Sequence, residues 1–513
     1  MVARNNLISL IVLILLQIPA GNLLSQNIIY SPTDPDKTWN ADIRIIGKIK
    51  DHLLIYKSMY RSSGYIMIYD NNMNFISKTQ LNLTNEKLIA LAFINSDIFS
   101  SVVFQVAEKG MIYTKVAMLD ENGKISGEVK SVDTIRTGVI DNDLFSIQQS
   151  ENKKHTLLSR SIYGLQPGKI QLDHLVLDEG GKIEKSDHFF IECSDSEKLS
   201  DPKIDNEGNI VFYKMKNNRM RGNLSFYRSS ISNELEIKEF ELNEHSFQVP
   251  MIKIDNLNGV YHIISLYKNN KSNNTIGLLL FNLLKDLSGD VKPMLFPFDR
   301  SLLKIADKEA PTETAFNSYF LKDFITTTHG GFAVTAVLNK VESIYQTRFA
   351  SSNRRDGLVT TMGTGTYIGS GNYSYTPYEA IFRNNNVQTV QSHGTRRKHQ
   401  LMIFTFDKNN HFINYAVPNK STETPFAPTY SILNLSNEVL FVYNEVDKKN
   451  KVLLNNFSLD PGGIVTMNGI FRNLDKGYFF FPESGKQIDT STMIIPCEQK
   501  GKLAFAMIKF DHE

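Results

Sequence analysis

Tyr113-Thr114-Lys115-Val116-Ala117-Met118-Leu119 runs into Asp120-Glu121-Asn122-Gly123, and the chain turns apolar again at Ile125. An Asp at the end of such a run can hydrogen-bond the backbone of its own turn, and the Gly or Asn that follows accepts positive φ. The phrase therefore specifies a β-hairpin. It recurs as Tyr65 to Asp70 before Phe75-Ile76, and as Leu175-Val176-Leu177-Asp178-Glu179-Gly180-Gly181 before Ile183. Further copies are Leu401 to Asp407 before Phe412-Ile413, and Val452 to Leu459 with Asp460-Pro461-Gly462-Gly463 before Ile464-Val465.

The spacing turns a hairpin into a repeat. Asp70 to Asp120 is 50 residues, Asp120 to Asp178 is 58 and Asp407 to Asp460 is 53, with two degenerate copies fitting between at Leu224 to Tyr227 and Ile276 to Phe281. A second strand pair precedes each marked hairpin, as at Leu88 to Ile94 and Ile98 to Gln105, and at Thr429 to Leu433 and Val439 to Tyr443. Four short antiparallel strands in about 50 residues, repeated, is the pattern of a propeller blade. The reading is all-β, a β-propeller of eight four-stranded blades, or seven if one degenerate unit is miscounted. The last unit, Leu503 to Phe510, ends where its third strand ends, so Asn27-Ile28-Ile29-Tyr30 is expected to supply the missing outer strand and close the ring.

Residues 1–25 read as a signal peptide: Arg4, the ten-residue apolar run Leu7 to Leu16, then Pro19-Ala20-Gly21, with cleavage expected after Ala20 or Ser25. That run is too short to span a bilayer, which takes about 20 residues, and the expected mature chain is a single propeller domain over 26–513 with no membrane span. An exported chain can form disulfides, yet only Cys193 and Cys497 are present, and both are expected to be buried free thiols. No Cys lies near the expected cleavage site, which argues against a lipid anchor.

One unit is too long. A connector at Ser301 to Thr314 is expected to hold a short amphipathic helix on Leu302, Leu303, Ile305 and Ala306, and an insertion over 344–399 separates the second strand of blade six, Phe332 to Leu338, from its third at Leu401. The insertion carries seven bases against two acids, about +5 on a chain whose 56 Lys+Arg and 54 Asp+Glu leave +2 overall. Arg354, Arg355, Arg396 and Arg397 offer bidentate recognition of carboxylate or phosphate, and Tyr367, Tyr373, Tyr375 and Tyr378 offer broad contact at low entropic cost. These eight are the candidate binding residues. The rest of the molecule is mildly acidic, so a general nucleic-acid binder is disfavoured.

No catalytic, metal or cofactor motif emerges. Gly363-Thr364-Gly365-Thr366-Tyr367-Ile368-Gly369 places its third Gly one residue late for a dinucleotide loop, and Gly369-Ser370-Gly371 is not a nucleophile elbow. Asp120-Glu121-Asn122-Gly123 and Asp205-Asn206-Glu207-Gly208 lack the alternating oxygens and distal Glu of a calcium loop. Neither cofactor nor metal is therefore expected.

At the level of blades, residues 28–511 resemble a secreted β-propeller, without the Trp-Asp dipeptide of WD repeats or the paired glycines of kelch. Asp201-Pro202 followed by Asn206-Glu207-Gly208-Asn209-Ile210-Val211-Phe212 resembles, in one unit, a phrase of periplasmic Tol-type propellers. The leader and the Asn/Lys/Ile-rich composition are similar to envelope proteins of Gram-negative bacteria. The leading expectation is a periplasmic or extracellular non-enzymatic module, monomeric or part of a complex, that binds an envelope protein or an anionic glycan. The alternative is a carbohydrate-active hydrolase or lyase with acidic residues in the central funnel. Carboxylates with a His or Arg converging there would favour the enzyme, and an apolar or plugged channel would favour binding.

Overall fold

The computed structural model describes residues 26–35, 41–59, 64–96, 99–136, 145–217, 221–230, 235–306, 314–327, 330–343, 395–418, 430–446, 452–471, 474 and 477–510. Eight antiparallel sheets follow one another along the chain. Blade one pairs Ala41–Ile49, His52–Met59, Tyr65–Tyr69 and Phe75–Gln80 in order from the inner strand outward, and blade two does the same from Lys87–Asn95 to Ile125–Arg136. Blades three to seven repeat the order, beginning at Ser146, Glu197, His245, Tyr319 and Tyr430.

Blade eight is built from both ends of the described chain. Its inner pieces are Tyr478–Phe480 and Lys486–Gln487, then come Thr492–Gln499 and Lys502–Phe510, and its outer strand is Gln26–Tyr30, paired from Gln26 with Phe510 to Tyr30 with Ala506. The expected closure of the ring is therefore found, and the blade count is eight.

The core is divided among the seams. Each neighbouring pair of blades shares its own apolar cluster: Ile66, Val102, Phe104 and Ala117 between one and two, for example, and Ile43, Ile55, Met507 and Phe505 between eight and one. Aromatic contacts are dense between blades five and six, where His262 lies 5.3 Å from Phe324 and Phe296 lies 5.1 Å from Phe406 between ring centroids. The seams on either side of blade three have smaller apolar clusters and carry buried charge instead. Arg160 bonds Asp173 at 2.6 Å and Asp133 of blade two at 3.1 Å, while Lys185 sits 2.8 Å from both Asp187 and Ser229 of blade four. Buried ions of this kind are tolerated when paired.

The marked hairpins fold as their sequence dictates. The Asp120 carboxylate accepts from the Asn122 and Lys124 amides at 2.9 and 2.8 Å, and Gly123 takes φ 66°. A Cβ there would stand 2.8 Å from Ile66 of blade one, so the glycine serves packing as well as conformation. The connector after blade five holds the expected helix, Arg300–Ala306, with Leu302 and Ala306 buried and Asp299 capping the Leu302 amide at 2.7 Å. The two cysteines are free, and one expectation fails: Cys497 is buried in blade eight, but Cys193 is half-buried, because it lies just past the outer strand Ile183–Glu192, where the chain leaves the sheet.

Candidate functional site

Antiparallel neighbours send successive connections to opposite faces of the ring. The turns within each blade between strands one and two, and between three and four, share one face. The links between blades share the other with the turns joining strands two and three. Blade six uses that second face for its insertion. Phe332–Ser343 and Thr395–Phe406 pair over twelve positions from Phe332 with Phe406 to Ser343 with Thr395. Arg396 and Arg397 thus lie on the third strand, opposite Glu342 and Val341, in the stem of the insertion. Arg354, Arg355, Tyr367, Tyr373, Tyr375 and Tyr378 lie outside the described residues, as do the side chains of Arg396 and Arg397.

The inner strands that wall the central channel are interrupted in most blades. Blade four breaks between Glu197–Leu199 and Lys203–Ile204, and blade five between His245–Phe247 and Met251–Asp255. Blade six bulges at Lys322-Asp323, and blade eight inserts a turn at Pro482–Ser484. A broken strand frees backbone groups that must find other partners. Neighbouring blades supply several of them. Tyr213 of blade four donates to the Pro250 carbonyl at 2.7 Å, and Asn444 of blade seven to Phe480 at 2.8 Å. Lys486 of blade eight donates to Ile46 at 2.8 Å, and Ser431 of blade seven to Pro482.

The blade-six bulge is held by a closed loop of hydrogen bonds. The Asp323 amide donates to Thr335 Oγ1 at 2.9 Å, the Thr335 and Tyr430 hydroxyls lie 2.8 Å apart, and Tyr430 donates to the Asp323 carboxylate. Lys322 places its Nζ 4.0 Å from the centre of the Tyr430 ring, a cation–π contact. Bulges re-aim side chains at functional positions. Here both bulge residues are charged.

Two further lysines stand in matched register. Asp205 and Asn209 close the first turn of blade four, and Asp255 and Val260 close that of blade five. Lys203 and Lys253 each precede their closing Asp by two residues. Lys486 precedes Ile488, which closes the corresponding turn of blade eight with Thr492, by the same two. Enclosure in the wall lowers the pKa of Lys203, and the neighbouring Lys253 lowers it further, against the opposing pull of Asp201 and Asp323. Enclosure also lowers Lys322, and it brings Lys486, solvent-accessible but walled in, to about 8, with Lys153 adding in the same direction. The Asp201 carboxyl is pushed up by enclosure, with Lys203 opposing.

The channel is thus neither apolar nor a plain carboxylate pair. One arc, from blades four to six, carries ammonium groups interleaved with Asp201 and Asp323. Such an arc suits a ligand that carries both negative charge and hydrogen-bond donors. Sequence reasoning missed these residues, since each blade contributes one or two from a distant position. A signal did exist: Lys203-Ile204-Asp205-Asn206 returns as Lys253-Ile254-Asp255-Asn256, fifty residues on. Among the described residues no group of three His, Cys, Asp or Glu is placed to hold a metal ion, and no helix is long and apolar enough to cross a membrane.

Neither a protein-family description nor a curated protein matches the chain. Among solved structures it is similar to prolyl oligopeptidase B from Galerina marginata, at 9% identity and TM-score 0.38, over 92% of this chain and 56% of the peptidase. This chain therefore spans little more than half the length of that protein. It is also similar to an oligogalacturonate lyase in complex with manganese, at 8% identity and TM-score 0.37, over 95% of this chain and 98% of the lyase. The WD40 domain of SCAP from fission yeast stands at 8% identity and TM-score 0.37, over 94% and 98% of the two chains.

Proposed function

We propose that this protein is an exported, non-enzymatic β-propeller that serves the cell envelope as a binding module for a protein or an anionic glycan, using the blade-six insertion. The observation that carries the reading is the twelve-position stem from Phe332 with Phe406 to Ser343 with Thr395, which anchors a 51-residue, Arg- and Tyr-bearing excursion to one face of the ring. Adaptable Tyr/Gly/Ser loops on a fixed stem are a common way to build a recognition surface. Export is supported by the leader-like sequence of residues 1–25.

The test keeps the fold intact. Replacing 346–392 with a short Gly/Ser turn leaves the paired stem whole, and affinity purification from the native envelope, with a glycan array alongside, compares the two proteins. Loss of partners that the full chain captures is the expected result. An identical set of partners and glycans overturns the proposal.

A second reading, a carbohydrate-active hydrolase or lyase, is favoured by the two carboxylates of the channel wall, Asp201 held protonated to higher pH and Asp323 fixed by Tyr430. Turnover of acidic polysaccharides that is abolished in Asp201→Asn or Asp323→Asn would support it. Unchanged turnover in both would remove these residues from any such role.

A further inference from the structure

Lys203 and Lys253 hold the same register in adjacent inner strands, so they stand at one height in neighbouring blades. Each lies between two buried residues: Pro202 and Ile204 flank the first, Ile252 and Ile254 the second. Among the described residues neither ammonium has a carboxylate within ion-pair distance, although the two are near enough for Lys253 to disfavour the charge on Lys203. Two like charges held side by side in a partly desolvated wall repel one another, and an anion between them would relieve both.

The surroundings narrow the class of anion. Asp201 and Asp323 also act on Lys203 and would repel a densely charged guest such as a phosphate chain, but each can accept a hydrogen bond from a hydroxyl. A ligand with one carboxylate per several hydroxyls satisfies both sets. We propose that Lys203 and Lys253 form the carboxylate-binding pair of a channel site for acidic sugars, with Asp201 and Asp323 receiving the sugar hydroxyls. This site is separate from the blade-six insertion, so either can fail without the other.

The experiment titrates the full chain by calorimetry with trigalacturonate, with galactotriose as the neutral match and with inorganic phosphate. Trigalacturonate should bind at least about tenfold tighter than either, and Lys203→Met and Lys253→Met should each weaken it by about tenfold or more. Should a Met variant misfold, lysine acetylation of the wild-type chain provides the second readout: trigalacturonate should protect Lys203 and Lys253 and leave the exposed Lys109 reactive. Equal binding of the neutral trisaccharide, preference for phosphate, no binding, or no protection at the two lysines would each overturn the proposal.

Discussion

Lys57 is fully buried, an uncommon place for a lysine, and its Nζ lies 2.7 Å from Asp34, which also accepts from the Tyr65 hydroxyl at 3.3 Å. Asp34 follows the closing strand, so this ion pair fastens the N-terminal segment to blade one. Removing one partner strands the other charge in a dry setting. Lys57→Ala should therefore cost about 3–5 kcal/mol, whereas the double change Lys57→Met with Asp34→Leu should recover most of it. Urea denaturation of the three proteins checks this, and a single-variant loss below about 1 kcal/mol would refute the account. Nothing local in Leu53-Leu54-Ile55-Tyr56-Lys57 marks the lysine as buried. Its partner lies 23 residues away across a seam that only the closed ring creates.

The Asp turns are the element that sequence exposed most clearly, and for a local reason: the carboxylate bonds amides two and four residues on, and nothing distant is required. Asp205 uses the same turn differently. It is wholly buried, and beyond the Glu207 and Asn209 amides at 2.9 and 2.8 Å it takes Asn209 Nδ2 at 2.9 Å and the Tyr261 hydroxyl of blade five at 2.8 Å. Asp460 is only half-buried and bonds the Ile464 amide at 2.7 Å. Asp460→Ala should therefore cost about 1 kcal/mol and Asp205→Ala about 3 kcal/mol, since the second leaves buried donors unmet. Denaturant titration of the two variants measures the gap, and equal losses would show that the blade-five contact carries no weight. The same contrast explains what could be read beforehand. Strands and turns were legible from alternation and Asp/Gly chemistry, whereas Asp323 and Tyr430 lie 107 residues apart and meet only once blades six and seven are set side by side.

At the scale of the molecule, closure rests on five residues, Gln26–Tyr30, pairing with a strand that ends at Phe510. Bringing such distant segments together carries a loop-closure cost that only the finished seams repay. Deleting 26–34 should leave the eighth blade with an open edge, raising amide hydrogen exchange in Lys502–Phe510 and lowering the melting temperature. Exchange there at the rate of the intact chain would argue against the closure as a stabilising device. The seams also bear on how such a chain can change over evolutionary time. Tyr213 reaching Pro250, Tyr430 seizing Asp323 and Lys486 roofing Ile46 are joints cut for one neighbour each. A ring of interchangeable units can gain or shed a member by duplication or loss, but one whose members have become particular to their seats cannot without opening two joints at once. Its inheritance of eight blades is in that sense frozen, and novelty is left to the connections between strands, such as the one the blade-six stem carries.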